Sequence, residues 1–301
     1  MGFSVLLVDY KSIQMTLDYI GLCDKYLKSK DQIQYIIVDN TEDASDLKLV
    51  KENHELNEVT KVENKSVYQF THDGIDVHII AAMNNGGYAK GNNLAAKVSA
   101  VLFPDNNYIV SNNDILFDET YDLDVIEDEI KRNDVAVIGP NVVNPEGTSA
   151  NPFNRPDENF IMFTLFLNTL LPRKIKQRPN DELYTFSGCF WIFSKKYFDL
   201  AEGFDERTFL YFEEQIMSER IRKVGGKFKY QDDFKVIHNH VNHKKSPIKE
   251  SKMLRYFYDS MRVYTDSYLN VNPVKKILSR ITYEILNVFY IIERAIIYIA
   301  R

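Results

Sequence analysis

Two cysteines among 301 residues leave no room for a disulfide framework, which excludes the small stapled secreted folds. Cys23 and Cys189 suit a reducing cytosol instead. Long apolar runs are also missing. The opening segment MGFSVLLVDYKS lacks the basic region and extended apolar core of a signal peptide, and is expected to begin a strand at once. Towards the other end the longest uncharged stretch, Ile285–Ile292, stops at Glu293-Arg294, too short to cross a bilayer. A positive balance is absent as well: the formal charge is -6, which argues against a nucleic-acid partner. That charge is uneven, because residues 241–301 hold 11 Lys/Arg against 5 Asp/Glu, a local +6 that leaves -12 on residues 1–240. Finally, no nucleotide fingerprint is complete. A G-x-G-x-x-G is missing after the first strand, and Gly86–Gly91 has phosphate-loop spacing with Asn92-Asn93 in place of Lys-Ser.

What is present is enough apolar content, 45%, for one large domain with an appendage. Short continuous apolar runs at Phe3–Val8, Tyr35–Val38, Val77–Ala82, Tyr108–Val110 and Val135–Ile138 read as buried strands. Helical stretches about Ile13–Leu27 and Lys90–Phe103 fall between them. Strands alternating with helices predict an α/β fold with a mostly parallel central sheet flanked by helices. Ligands of such sheets bind outside the carboxyl ends of the strands. Asp9-Tyr10, Asp39-Asn40, Asn84-Asn85 and Asn112-Asn113-Asp114 stand at those ends, a pattern that points to one shared site.

Four segments carry candidate chemistry. Gly203–Gly225 leads through a Gly-Phe-Asp turn and an aromatic run to Glu213 and Glu214 at the start of a helix. Acids in a first helical turn are favoured by the helix dipole and are expected to stay charged, as a general base for a hydroxyl must; the plainer reading is ordinary helix-start acids. The Gly-rich turn Asn85–Asn93 lets backbone approach a ligand, and the helix after it is expected to favour phosphate; a plain turn with a helix cap is the alternative. Asn112-Asn113-Asp114 is an oxygen-rich seat for a hard divalent ion, and His238, ending the apolar strand Phe234–Ile237, is available to it. His240 and His243 read as solvated surface residues, since the spacing fits no common zinc pattern. Phe190 and Trp191 are either sugar-stacking walls or core aromatics.

In the order of these motifs, from Val5 to about His238, the chain resembles family 2 glycosyltransferases of the GT-A fold. It is most like bacterial polysaccharide enzymes of the rhamnosyltransferase type. Val8-Asp9-Tyr10-Lys11-Ser12 and Val38-Asp39-Asn40-Thr41 match the family's first two strand ends, and Asn85–Asn93 matches N-x-G-F-x-x-G-x-N with Tyr88 in the Phe place. Asn112-Asn113-Asp114 stands where the D-x-D variant stands, and Ser187–Trp191 resembles the acceptor loop. Gly203-Phe204-Asp205-Glu206 to Arg220 matches G-F-D-E…E-D…R, although Glu214 replaces the usual Asp and Ile216 a frequent further acid. The resemblance implies an inverting, metal-assisted transfer from a dTDP- or UDP-linked sugar to a saccharide or lipid-linked acceptor, in bacterial cell-surface polysaccharide synthesis. It implies Glu214 as base with Glu213 as fallback, and Asp114 with His238 on Mn2+ or Mg2+. Val8, Asp9, Tyr10, Asp39, Asn85, Gly87, Lys90, Asn93 and Asn113 would hold the nucleotide-sugar, Gly188 and Trp191 the acceptor. The altered acidic pair leaves room for a second class: a nucleotide-sugar-binding scaffold without catalysis.

The expected division is a catalytic domain over 1–243, with a nucleotide-sugar half to about 115 and an acceptor half from 116, then a helical region over 244–301. An apolar helix at Phe160–Leu171 is expected to shape the acceptor side. From Val274 to Ile299 apolar residues recur at i, i+3, i+4 on a basic amphipathic helix. Such a helix either lies on an anionic membrane or packs on the catalytic domain or a second subunit. The implied location is cytoplasmic, with peripheral contact at the inner face of the plasma membrane.

Overall fold

The computed structural model describes residues 2–151, 183–240 and 247–299; the expected helix at Phe160–Leu171 lies outside them. Strands β1 (Phe3–Asp9), β3 (Gln34–Asp39), β6 (Ile75–Ala81) and β7 (Asn107–Ser111) form a parallel centre in the order β6-β3-β1-β7. Helix α1 (Ile13–Tyr26) follows β1, α2 (Ser45–Asn53) follows β3, and α3 (Gly87–Leu102) joins β6 to β7. Val5, Leu7, Ile37 and Ile79 face one core with Leu17 and Ile20 of α1; Leu6, Ile36, Val38 and Ile80 face another with Leu94, Ala95 and Val98 of α3. A sheet covered on both faces explains why these strands are uninterrupted apolar runs. Gly91 sits against β1 because any Cβ there would come within 2.7 Å of Val8.

The sheet as a whole has ten strands and is mixed rather than mostly parallel. At one side β4 (Asn57–Val62) and β5 (Lys65–His72) form an antiparallel meander with β6. Its turns are Glu63-Asn64, at φ 49° and 61°, and Asp73-Gly74, at φ 49° and 84°. Consecutive positive φ angles suit a two-residue hairpin whose twist matches its strands. On the other side β11 (Phe190–Phe193) lies antiparallel between β7 and β10 (Val135–Val143). Beyond β10 come β12 (Lys227–His238), parallel to it, and the two-residue β8 (Ile115–Leu116), antiparallel to β12. A small pair of β2 (Leu27–Lys28) and β9 (Tyr121–Asp122), then α4 (Leu123–Asn133) and α5 (Lys195–Leu200), complete the body.

Helix α6 (Glu213–Lys223) carries the two candidate bases, and α7 (Pro247–Ser267) and α8 (Pro273–Ile299) end the chain. Ile216 of α6, Tyr258, Met261 and Tyr264 of α7, and Tyr283 of α8 share a third core. The region from 247 onward is therefore packed onto α6. Lys276 and Arg280 both reach Asp266, and Tyr283 lies on Tyr258 with ring centroids 3.4 Å apart. These contacts fix which face of α8 turns outward. Ten apolar side chains, from Val274 to Ile296, are left 48–65% exposed on it. Among the described side chains the apolar stripe is thus exposed, which speaks against packing on the catalytic domain, one of the alternatives for it. Among the described residues no helix is long and apolar enough to cross a membrane.

Candidate active site

The pairing of β8 with β12 places His238 opposite Ile115, and so beside Asp114, although 124 positions separate the two. The register is reinforced by Asn239 N–H donating to Asp114 O at 2.9 Å. His238 Nε2 lies 3.3 Å from Asp114 Oδ1, and His240 Nδ1 3.5 Å from Asp114 Oδ2. His240 therefore joins the cluster; residues two apart on extended backbone point the same way, a signal present in His-Asn-His. Burial works against charge on Asp114, but the two imidazoles outweigh it and hold its carboxyl low. Asp114, with Cys189 behind it, pushes His238 up to about 10. Asp114 Oδ1 and His238 Nε2 are buried and, close as they are, form no well-aligned hydrogen bond. One donor atom from each of the three residues lies within 4.8 Å of the others. Two unsatisfied buried atoms in such a set fit a shared cation between them.

Glu213 and Glu214 occupy the first turn of α6, and Glu214 Oε1 accepts the Gly188 N–H at 3.2 Å. A Cβ at Gly188 would sit 2.9 Å from that same oxygen and push the carboxylate aside. Tyr88 donates its hydroxyl to Gly188 O at 2.7 Å, closing the pocket from α3. The expectation that the helix start keeps both acids charged gives way to burial, which raises both carboxyls above the usual range. Each carboxylate is supported by two backbone N–H groups, Glu213 by its own and that of Tyr211, Glu214 by its own and that of Gly188, but for Glu213 the Glu214 charge adds to the rise. Glu213 Oε1 is buried without a hydrogen-bond partner, as suits a carboxyl that keeps its proton. Glu214 is accordingly the first of the pair to ionise.

One short loop joins the two centres. Gly188 holds Glu214, while the next residue, Cys189, accepts the Asn112 N–H at 2.9 Å beside Asp114. Asn113 donates to Thr16 Oγ1 at 2.7 Å and Ser12 Oγ at 3.1 Å, tying the end of β7 to the end of β1. Tyr10, 43% exposed, offers an aromatic face at that same end.

Other expected ligand-binding residues shape the site from beneath. Asp9 is fully buried and accepts from Ser12 and Thr16; Asp39 is fully buried and accepts from Thr41 and Leu47. Asp46, which the sequence does not single out, lies beneath them, and burial with the nearby Asp9 pushes it up to about 7. Val8 packs on Gly91. Asn93 clamps the Gly203 turn, accepting from Phe204 N and donating to Phe204 O, both at 2.9 Å. The start of α3 is not an open anion seat. Its Gly86, Gly87 and Tyr88 N–H groups already donate to Asn40, Asn85 and Phe209 O. Gly87 has φ 81°, and a Cβ there would lie 2.2 Å from Phe209 O, so only glycine fits. Lys90 lines a separate cavity of about 130 Å³ with Asn40, Asn84, Lys65 and Lys97. Trp191, 1% exposed, belongs to the core against Phe193 and Phe204 and has no free face for a sugar; Phe190 is buried likewise. Arg220 donates to Gly203 O at 2.8 Å and pairs with Glu202, steadying the turn rather than the acids.

Ahead of α6, Tyr211 and Phe212 both adopt the left-handed region, at φ 76° and 63°. Each such non-glycine residue costs on the order of 1–2 kcal/mol. The aromatic run in the sequence carries no sign of this.

No protein-family model matches the chain, and no curated protein is similar in sequence. Solved structures are similar in fold. The mannosyltransferase PcManGT from Pyrobaculum calidifontis, in complex with GDP-Man and Mn2+, superposes with a TM-score of 0.54 at 12% identity, over 97% of this chain and 72% of that one. TarS 1–349 from S. aureus, in complex with UDP-GlcNAc, gives a TM-score of 0.51 at 13% identity, over 92% and 69%. The chain thus has the GT-A-type α/β fold seen in glycosyltransferases.

Proposed function

We propose that the chain is an inverting glycosyltransferase that moves a sugar from a nucleoside-diphosphate donor to a hydroxyl of a saccharide or lipid-linked acceptor. The observation that carries this reading is the Gly188-Cys189 loop, where Gly188 donates to Glu214 and Cys189 accepts from Asn112, two residues before Asp114, so that one loop links the candidate base to the candidate cation ligands. Donor complexes of two proteins with this fold, one with GDP-Man and Mn2+ and one with UDP-GlcNAc, support it. Tyr10 stacks on the base, Asn113 fixes the loop beneath it, and Glu214 takes the proton of the acceptor hydroxyl as that oxygen attacks the anomeric carbon in line. Gly188 keeps Glu214 aimed, and protonated Glu213 prevents a second charge from building up beside it. Asp114, His238 and His240 would hold a divalent ion, which supplies charge neutralisation for the departing diphosphate. Two imidazole nitrogens favour Mn2+ over Mg2+, an ion of oxygen ligands.

The test is hydrolysis and transfer with a panel of dTDP-, UDP- and GDP-sugars in Mn2+. Turnover of one donor supports the enzyme. Donor binding without turnover on any acceptor would favour the scaffold reading, for which Glu214 in an Asp position is the only argument.

The α8 stripe supports contact with an anionic lipid surface, as a membrane-borne acceptor would need. The helix is about 40 Å long at 1.5 Å per residue. Two copies meeting stripe to stripe would bring two +6 segments together, whereas acidic headgroups complement them. The full chain is expected to float with vesicles containing anionic lipid, and an Ile281→Glu/Ile285→Glu double variant to remain at the bottom of the gradient. Equal flotation of both, or a stable dimer by sedimentation that the double variant dissolves, would replace the lipid by another partner.

A further inference from the structure

The strained turn before α6 is held from outside by α7. Phe209 stacks on Tyr256 with centroids 4.1 Å apart. Tyr211 and Phe212 meet Phe257 at 5.5 and 5.1 Å, and Phe212 stacks on Tyr264 at 5.6 Å. Ser260 Oγ donates to Leu210 O at 2.9 Å. On its inner side the same turn reaches the Gly-rich segment, where Phe209 O accepts the Tyr88 N–H at 3.0 Å. No side-chain cap secures the start of α6. Two successive left-handed aromatics persist only where their surroundings over-determine them, and the aromatic face of α7 supplies the outer half of those surroundings.

We propose that Tyr256, Phe257, Ser260 and Tyr264 are positioning residues for the general base, which makes α7 a working part of the active site although it lies beyond the expected catalytic boundary at 243. The kinetic half of this inference rests on the transferase reading; the geometric half does not. The face acts through the turn, which sets the first turn of α6 and hence how deeply Glu213 and Glu214 sit. Besides each other, the titratable groups facing the pair are Tyr88 from α3 and Tyr211 from the turn itself. Tyr10, Asn113 and Asp114 stand on other elements, at the ends of β1 and β7, so donor binding is expected to survive alteration of α7.

The experiment compares the full chain with Phe257→Ala, Phe257→Leu and Ser260→Ala, using carboxyl 13C NMR titration of glutamate-labelled protein alongside steady-state kinetics. Phe257→Ala is expected to bring the raised glutamate midpoints down by about one unit as water reaches them. Its kcat is expected to fall about tenfold to a hundredfold, as for a small misplacement of a reacting group, with donor KM within about twofold of wild type. Phe257→Leu, which keeps apolar bulk, is expected to recover most of both. If Phe257→Ala does not fold, Ser260→Ala carries the test with a smaller change in the same direction. Unchanged midpoints in a folded variant overturn the inference, as does a loss that falls on KM alone. A shifted titration in a chain that turns over no donor would uphold the positioning and defeat the transferase reading instead.

Discussion

Glu214→Gln is expected to fold normally and to lower kcat by about 10²–10⁴-fold, the range of a positioned general base. Gln keeps an oxygen able to accept the Gly188 N–H, so local structure should hold and donor affinity should stay near wild type. In the wild type the rate should rise with pH, because only the carboxylate accepts a proton. The sign follows from burial: both carboxyls are raised, so the ionised base is lost earlier on acidification than an exposed Glu would be. The rising limb should therefore lie above the ordinary carboxylate range, near 4.3 for free Glu. Glu213→Gln replaces a carboxyl that keeps its proton by a neutral amide, so it should leave that limb nearly in place and the maximal rate within about tenfold. A Glu214→Gln enzyme with wild-type kcat, or a limb that disappears in Glu213→Gln, would assign the base elsewhere.

Asp114→Ala is expected to abolish high-affinity Mn2+ binding and to reduce turnover by about 10²–10⁴-fold. That corresponds to several kcal/mol of leaving-group stabilisation, at 1.4 kcal/mol per tenfold. The carboxylate is the one anion among three donor residues, so removing it leaves two imidazoles that repel a cation when protonated. The free Mn2+ signal in electron paramagnetic resonance should fall on adding wild type and stay constant with the variant. Activity that survives a chelator, or Mn2+ uptake by Asp114→Ala, would contradict the cluster. His240→Ala should weaken binding less, since His240 is the most exposed of the three.

The parallel centre was legible because burial on both faces writes strands as apolar runs, and each run from Phe3 to Val110 lies in a strand, save Ala82 just past the end of β6. Strands β4 and β5 carry no such mark, although Asp73-Gly74 between β5 and β6 is a strong hairpin signal: they are half-exposed and polar, so apolar content does not reveal them. The antiparallel insertion of β11 between β7 and β10 depends on tertiary pairing, which no local pattern encodes. At the site, residue types were read more successfully than surroundings. Asp114 and His238 do meet, yet Trp191 and Asn93 turned out to hold the fold. The rise in the carboxyls of Glu213 and Glu214 comes first from burial, which depends on elements such as α3 and the Gly188 loop that are distant in sequence. Tyr211 and Phe212 give no warning of left-handed backbone, since neither residue favours it.

The two-residue strand β8 also bears on when the site comes into being. Asp114 owes its setting to β12, whose last residue is His238, so a nascent chain has the first parallel strands long before it has a complete cation cluster. Until residue 240 has left the ribosome tunnel, the growing polypeptide holds an isolated carboxylate where the finished protein holds a carboxylate and two imidazoles. Chains stalled earlier would carry the first parallel strands with Asp114 still lacking the two imidazoles of the proposed cation cluster.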